Sequence, residues 1–136
     1  ALAAARTLAG TAPLPAALVL HGDTDPVVRI ANGEQLAAQW GALTQATVPV
    51  RDPQALAAAR VVASAVGTPG EARVRVAQWR IAGLAHAWSG GDAAGSWTDP
   101  AAPDVTTALL VWLAAHPRRP REGVAPPRRQ RHERLV

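Results

Sequence analysis

A chain of 136 residues that is 49% hydrophobic can bury the core of one ordinary domain, or of part of a larger one. The absence of cysteine excludes disulfides and thiolate metal sites, and no apolar run is long enough to span a bilayer. The formal charge of +4 comes from a Pro- and Arg-rich tail at 117–136, because residues 1–116 carry seven Arg against eight Asp and Glu. We therefore expect a near-neutral folded body over 1–116, followed by a disordered tail.

The first elements predict a strand that ends in a polar turn. An alanine-rich helix over 1–10 ends at Gly10 and is followed by a proline-punctuated connector. Residues 16–21, AALVLH, are a short continuous apolar run, which is typical of a strand covered on both faces in a parallel sheet. The turn cluster GDTDP then places Asp25 at the carboxyl end of this strand, where open α/β sheets hold their sites.

Two helices are predicted after this turn. The first covers 31–43, with Asn32 as its N-cap. A second, short helix is predicted to begin at Asp52-Pro53 and to run to Arg60. The apolar stripe of the first helix consists of residues at helical spacing: Ile30, Leu36, Ala37, Trp40 and Leu43.

The second half of the body predicts a hairpin, a long loop and a final helix. Strands over 60–66 and 72–81 flank a Thr-Pro-Gly turn, and the second strand leads directly into the loop 81–100. A helix over 103–116 follows, with Asp104 at its N-terminus and Pro117 ending it. Its apolar stripe is Val105, Leu109, Trp112 and Leu113, and we expect the tryptophans Trp40, Trp79 and Trp112 to lie in the core.

Asp25 and His86 each follow a predicted strand, and they are the candidate catalytic pair. If the two strands are neighbours, the carboxylate can accept the imidazole N–H and stabilise the imidazolium, which is the acid–base half of a nucleophilic triad. Asp23 is the rival acid, since it lies two residues earlier in the same turn.

The other polar residues of the body have structural interpretations. We interpret His21 and His116 as structural histidines and Asp92, Asp99 and Asp104 as turn and cap residues. A metal site built from His86, Asp92 and Asp99 is conceivable, but no known ligand spacing supports it, and we predict neither a metal nor a cofactor.

Two segments resemble a known family. LVLHGDTDPVV at 18–28 resembles the acid turn HGxxDxxV of α/β-hydrolases, and GLAHAWSGGDAAGSWTDPAAPD at 83–104 resembles the C-terminal part of polyhydroxybutyrate (PHB) depolymerase-like esterases. The resemblance implies the last strands and helices of an α/β-hydrolase fold with a mostly parallel sheet. It also implies that Asp25 is the triad acid, that His86 is the base and that Trp88 lines the substrate cleft. The D-x-x-V phasing from Asp25 to Val28 favours Asp25 over Asp23.

The same resemblance implies a serine hydrolase of carboxylic, hydroxyalkanoate-type esters. Its substrate is a small ester or a polyester, and secretion is compatible with the family, although this chain carries no signal peptide. Neither the compartment nor the oligomeric state follows from the sequence.

The chain departs from the family pattern at two places. Ala85 precedes the histidine where glycine is common, which makes the turn less permissive. More importantly, the nucleophile elbow G-x-S-x-G is absent, and Ser64, Ser89 and Ser96 do not lie in such a motif. We therefore expect an incomplete hydrolase fold without its nucleophile, in which the strand 16–21 has one unpaired edge.

The alternative function is a non-catalytic remnant or binding module whose Arg-rich tail contacts polyanions. No aromatic residue is interleaved among the tail arginines, so we do not expect binding of single-stranded nucleic acid by base stacking.

Overall fold

The computed structural model describes residues 2–10 and 13–118. Its helices are α1 (Leu2–Ala9), α2 (Ile30–Thr44) and α3 (Val105–Ala115). Its strands are β1 (Ala17–Gly22), β2 (Val48–Pro49), β3 (Val61–Gly67), β4 (Val74–Ile81), β5 (Trp88–Ser89) and β6 (Thr98–Asp99). Apart from its first two residues, the predicted tail over 117–136 lies outside the described residues.

Four strands form one mixed sheet in the order β1-β4-β3-β2. β1 runs parallel to β4, with Ala17 opposite Val76 and Gly22 opposite Ile81. β3 and β4 form the predicted hairpin, and the two-residue strand β2 adds to β3 in antiparallel orientation. The fold is α/β in class, but its described sheet is partly parallel rather than mostly parallel. No helix of the described residues crosses over between β2, β3 and β4, and these strands alternate in direction.

The two long helices cover opposite faces of this sheet. Side chains alternate between the faces of a strand, and the β4 neighbours Val76 and Ala77 belong to different clusters. Val76 packs with Val19 and Ala37 beneath α2, while Ala77 packs with Trp79 and Trp112 beneath α3.

α2 begins two residues before the predicted Asn32 cap, and its buried face differs from the predicted stripe. The helix starts at Ile30 after Arg29, whose side chain makes no capping hydrogen bond. Leu36 is 53% exposed. The buried residues of α2 are small ones, which let the helix axis approach the sheet: Gly33, Ala37, Gly41 and Thr44.

α3 begins after Asp104, as the sequence predicts for an acidic residue at this end. The Asp104 carboxylate accepts the backbone N–H of Thr106 at 2.9 Å, which makes it the N-cap of the helix. Val105 and Trp112 are buried, but Leu113 is 51% exposed, so the predicted stripe is too wide.

The predicted helix between Asp52 and Arg60 does not form. This segment consists of turns, in which Ala55 N–H donates to Asp52 O and Val61 N–H donates to Ala58 O. In the part of the chain that the structure describes, no helix has both the length and the apolar character needed to cross a bilayer.

Candidate functional site

The carboxyl ends of β1 and β4 meet at the same edge of the sheet and bring two loops together. Beyond the last strand pair, Asp23 N–H donates to Ile81 O at 3.2 Å and Thr24 N–H donates to Leu84 O at 3.3 Å. The turn after β1 and the turn after β4 are thus joined by backbone hydrogen bonds. This is the position at which parallel strands of open α/β sheets present functional side chains.

Asp25 is a partly buried carboxylate that makes three hydrogen bonds. Oδ1 accepts the backbone N–H groups of Val27 at 2.8 Å and Val28 at 2.9 Å, and Oδ2 lies 2.9 Å from Nδ1 of His86. The Asp25 side chain is 9% exposed. Burial acts to raise the pKa of Asp25, but hydrogen bonds from Val28, His86 and Val27, together with the His86 charge, outweigh it and lower this pKa from 3.8 to about 2.

His86 has one nitrogen committed to Asp25 and one that is available. An ionised carboxylate only accepts hydrogen bonds, so the proton between the two groups belongs to Nδ1 of the imidazole. In the neutral ring this leaves Nε2 as an acceptor, and no side chain or backbone group of the described residues makes a hydrogen bond to it. The His86 side chain is 44% exposed, so Nε2 is accessible to a reacting group.

The backbone of the turn before His86 is unstrained. Gly83 has a φ of 69°, a left-handed conformation that glycine adopts without strain. Gln45 is the non-glycine residue with positive φ in residues 2–10 and 13–118, so Ala85 lies in ordinary backbone space. The departure from the family pattern at position 85 therefore introduces no strain.

A cavity of about 440 Å³ lies beside His86. Trp88, the predicted cleft residue, lines it; the Trp88 side chain is 43% exposed and its Nε1 donates to Thr106 Oγ1 at 3.0 Å. The remaining wall is mainly apolar and includes Leu20, Val28, Ile81, Leu84, Ala87 and Val105. A mainly apolar cavity with one accessible imidazole suits a substrate that has an apolar body and one polar reacting centre.

Trp97 also lines this cavity, and sequence reasoning did not single it out. Its indole is 70% exposed and meets the His86 imidazole edge-on, with ring centroids 6.1 Å apart and planes at 77°. The backbone N–H of Trp88 donates to the Trp97 carbonyl at 2.8 Å, which joins the two tryptophans across the loop. The available signal was the second tryptophan of the loop 81–100, in the segment GSWTDP.

The rival acid Asp23 does not contact His86. Its Oδ1 accepts the backbone N–H of Gly83 at 2.7 Å. Asp23 and Asp25 therefore point to different partners, and of the two only Asp25 reaches the imidazole.

His21, His116, Asp92 and Asp99 have the predicted structural roles. His21 Nε2 lies 2.8 Å from Val28 O, and His116 stacks on Trp112 at 4.1 Å between centroids. Asp92 and Asp99 accept backbone N–H groups two residues ahead, as turn residues do. Within the described ranges no group of three His, Cys, Asp or Glu side chains is arranged to hold a metal ion.

None of the three serines is placed to act with His86. Ser89 lines the cavity, but it is 2% exposed and its hydroxyl donates to Pro103 O at 2.6 Å. Ser64 lies on β3 and Ser96 lies in the loop before Trp97, and neither makes a hydrogen bond to His86.

The site therefore holds an ionised acid, an oriented imidazole and an apolar cavity. Comparison with known proteins adds no assignment to this geometry, because the sequence matches no protein-family model and no curated protein.

Proposed function

We propose that this chain carries the acid and the base of a serine esterase of the α/β-hydrolase type, similar to the PHB-depolymerase-like esterases. One observation carries the proposal: Nδ1 of His86 lies 2.9 Å from the carboxylate of Asp25, which is itself held by two backbone N–H groups. An imidazole oriented in this way is a general base whose Nε2 is ready to accept a proton.

The two residues would act in the order that a nucleophilic triad requires. Nε2 of His86 accepts the proton of a serine hydroxyl while the serine oxygen attacks the ester carbonyl carbon. The proton then passes from His86 to the leaving alkoxide, which departs as an alcohol, and water releases the acyl group in the same way. Asp25 remains ionised throughout, since its pKa is about 2, and it stabilises the imidazolium formed in each step.

The serine of this mechanism is not among the 136 residues. The sequence contains no G-x-S-x-G, and the hydroxyl of the one cavity serine, Ser89, is committed to a backbone carbonyl. In the proposed enzyme a separate segment supplies the nucleophile and the oxyanion hole, beside the face of His86 that opens to the cavity.

The apolar wall of the cavity favours esters with hydrocarbon acyl or alcohol groups. Trp88 and Trp97 offer partly exposed indole surfaces within this wall, on which such groups can pack. The resemblance narrows the class to hydroxyalkanoate-type esters, whether small molecules or polyesters. No cofactor is required for this chemistry.

The alternative function, a module whose basic tail binds polyanions, depends on residues outside the described part of the chain. It gives no account of the contact between Asp25 and His86. We therefore favour the hydrolase.

The first test uses the 136-residue chain alone with p-nitrophenyl butyrate as substrate. We expect no turnover above that of His86→Ala, because an oriented base without a nucleophile does not form an acyl-enzyme. Turnover that disappears in His86→Ala would show that the chain is a complete catalyst and would refute the missing-nucleophile part of the proposal.

The second test examines the coding DNA upstream of residue 1. We expect an open frame with a G-x-S-x-G segment, whose full product hydrolyses p-nitrophenyl butyrate. In that product His86→Ala and Asp25→Asn should each lower kcat by a factor on the order of 10⁴. His116→Ala, which removes a histidine remote from the cavity, is the matched control and should keep the rate. A frame without the serine motif, or full activity in His86→Ala, contradicts the proposed function.

A further inference from the structure

The turn Ile81–Leu84, which delivers the chain to His86, is held from both sides by neighbouring strands. Its own closing hydrogen bond, from Leu84 N–H to Ile81 O, is long at 3.4 Å. On the β3 side, Arg60 accepts the Ala82 N–H through its carbonyl at 2.8 Å and donates to Ala82 O through Nε at 2.7 Å. The position of the turn is therefore set by its neighbours more than by its internal bond.

On the β1 side, the Asp23 side chain makes a hydrogen bond to this turn. Its Oδ1 accepts the Gly83 N–H at 2.7 Å, which is shorter than the 3.2 Å and 3.3 Å backbone bonds beside it. A carboxylate acceptor makes a shorter and stronger bond than a neutral carbonyl does. Because Asp23 is exposed to solvent, this bond adds little to the free energy of folding. Its main effect is to fix the position of the turn.

The turn after β1 and the turn after β4 also cannot approach each other more closely. A Cβ on Gly22 would collide with the carbonyl oxygen of Leu84, so the two turns already pack in direct contact. Contact at Gly22 opposes movement of the His86 turn toward β1, and the Asp23 carboxylate, together with the two backbone hydrogen bonds, opposes movement away from it. His86 follows Gly83 by three residues, so the orientation of the turn sets the distance from Nδ1 to the Asp25 carboxylate, which is 2.9 Å.

We propose that Asp23 is a positioning residue for His86: its carboxylate holds the Gly83 N–H so that the imidazole Nδ1 meets the carboxylate of Asp25. The catalytic consequence rests on the proposed function, whereas the positional effect is measurable in the chain without any activity. Asp23 touches neither the imidazole nor the cavity. Its role is exerted through the backbone of the turn.

The test is the tautomer of His86 in the full 136-residue chain, measured by long-range ¹H–¹⁵N NMR at a pH where the imidazole is neutral. The wild-type ring should carry its proton on Nδ1. Asp23→Ala should lose this preference, with the two ¹⁵N shifts moving toward those of a free imidazole. Asp23→Asn should restore the Nδ1–H form, because the amide oxygen still accepts from Gly83.

Two further variants separate positioning from general destabilisation. Asp92→Ala removes a comparable exposed carboxylate that accepts a backbone N–H at 2.9 Å, and it should leave the His86 tautomer unchanged. If Asp23→Ala fails to fold, Asp23→Ser replaces it. The serine hydroxyl is one bond shorter than the carboxylate and does not reach the Gly83 N–H, so the same loss of the Nδ1–H form is expected. Thermal unfolding of each variant is recorded in parallel.

The outcomes distinguish this inference from the proposed function. A wild-type tautomer in Asp23→Ala, or a mere drop in Tm with the tautomer intact, overturns the positioning role and leaves the Asp25–His86 pair standing. Asp25→Asn should lose the Nδ1–H form, because its amide oxygen stays on the Val27 and Val28 N–H groups and its NH2 group then faces Nδ1. If it does not, the pair itself and the proposed function are both contradicted.

Discussion

Asp23 and Asp25, which are separated by one residue in the sequence, have different partners because only Asp25 accepts hydrogen bonds from the backbone of its own turn. Oδ1 of Asp25 accepts N–H groups from the second and third residues that follow it, Val27 and Val28. This Asx-type turn fixes the side-chain rotamer and directs Oδ2 at His86. The D-x-x-V spacing thus has a physical meaning, since the backbone N–H of Val28 is one of the groups that orient the acid.

The lowered pKa of Asp25 predicts a specific loss of stability in acid. A carboxyl group with a pKa of about 2 in the folded chain and 3.8 when unperturbed contributes stability that is fully present above pH 3.8. This contribution falls as the pH drops from about 4 to about 2, because protonation of Asp25 breaks the bonds that it accepts. We expect Tm, measured from pH 7 to pH 2, to fall more steeply between pH 4 and pH 2 in wild type than in Asp25→Asn.

His86→Ala provides the internal comparison for this titration. It removes one of the three hydrogen bonds to Asp25 and leaves those from Val27 and Val28, so its slope should be intermediate. Identical slopes for wild type and Asp25→Asn would mean that the carboxylate is not stabilised by its surroundings.

At the scale of whole elements, the segment between β2 and β3 shows how a distant partner overrides local propensity. Residues 53–60 are rich in helix-forming alanine, yet they form turns. Asp52 accepts Gln54 N–H at 3.0 Å and, through its other oxygen, Trp112 Nε1 at 2.9 Å. Leu56 packs beside two of the core clusters. A helix of eight residues is too short to persist against such tertiary contacts.

Local patterns therefore predicted some elements well and others poorly. The strand 16–21, the hairpin and the Asp104 cap depend on neighbouring residues, and they agree with the structure to within one or two positions. The buried face of α2 depends instead on how closely the helix approaches the sheet. Gly33 illustrates this, because a Cβ there would lie 2.6 Å from Nδ1 of His21. Such proximity between residues of different elements is not encoded in any local period.

The same reasoning limits what could be predicted of the candidate site. Position after a predicted strand indicated Asp25, Asp23 and His86, and the D-x-x-V phasing of the family resemblance selected Asp25 over Asp23. The contact between Asp25 and His86 depends on the pairing of β1 with β4. Trp97 and the bond from Gly83 to Asp23 were not predictable, because they depend on how the loop after β4 folds back.

The hydrogen bond between Asp52 and Trp112 predicts that removing Asp52 destabilises the chain only while Trp112 is present. Asp52→Ala leaves the indole N–H of Trp112, a residue that is 1% exposed, without its acceptor. We expect this variant to lower the free energy of unfolding by about 1–3 kcal/mol, the cost of an unsatisfied buried donor. Urea unfolding measures this cost, and it should shrink in a Trp112→Phe background, where no donor remains. Equal costs in the two backgrounds would exclude the proposed pairing.

At the scale of the whole molecule, the sheet is open on the side of β1. β1 pairs with β4 along one edge, and no strand within residues 2–10 and 13–118 pairs with the other. An unpaired edge of apolar sequence is a template for another strand. Under the proposed function, a strand of the missing segment would occupy this edge, which would explain why β1 has the composition of an interior strand.

The open edge predicts that the 136-residue chain associates with itself when it is alone. Ala17→Lys places a charge on β1 at a partly buried position outside the apolar clusters, and it should reduce association, because charges on an edge strand disfavour pairing. Val62→Lys is the control: it replaces a side chain that is 65% exposed on β3, at a position paired with Arg80 of β4 and away from the open edge of β1. Light scattering over a concentration series should show a lower average mass for Ala17→Lys than for Val62→Lys. If Val62→Lys reduces association equally, apolar surface in general drives it, and the edge of β1 has no special role.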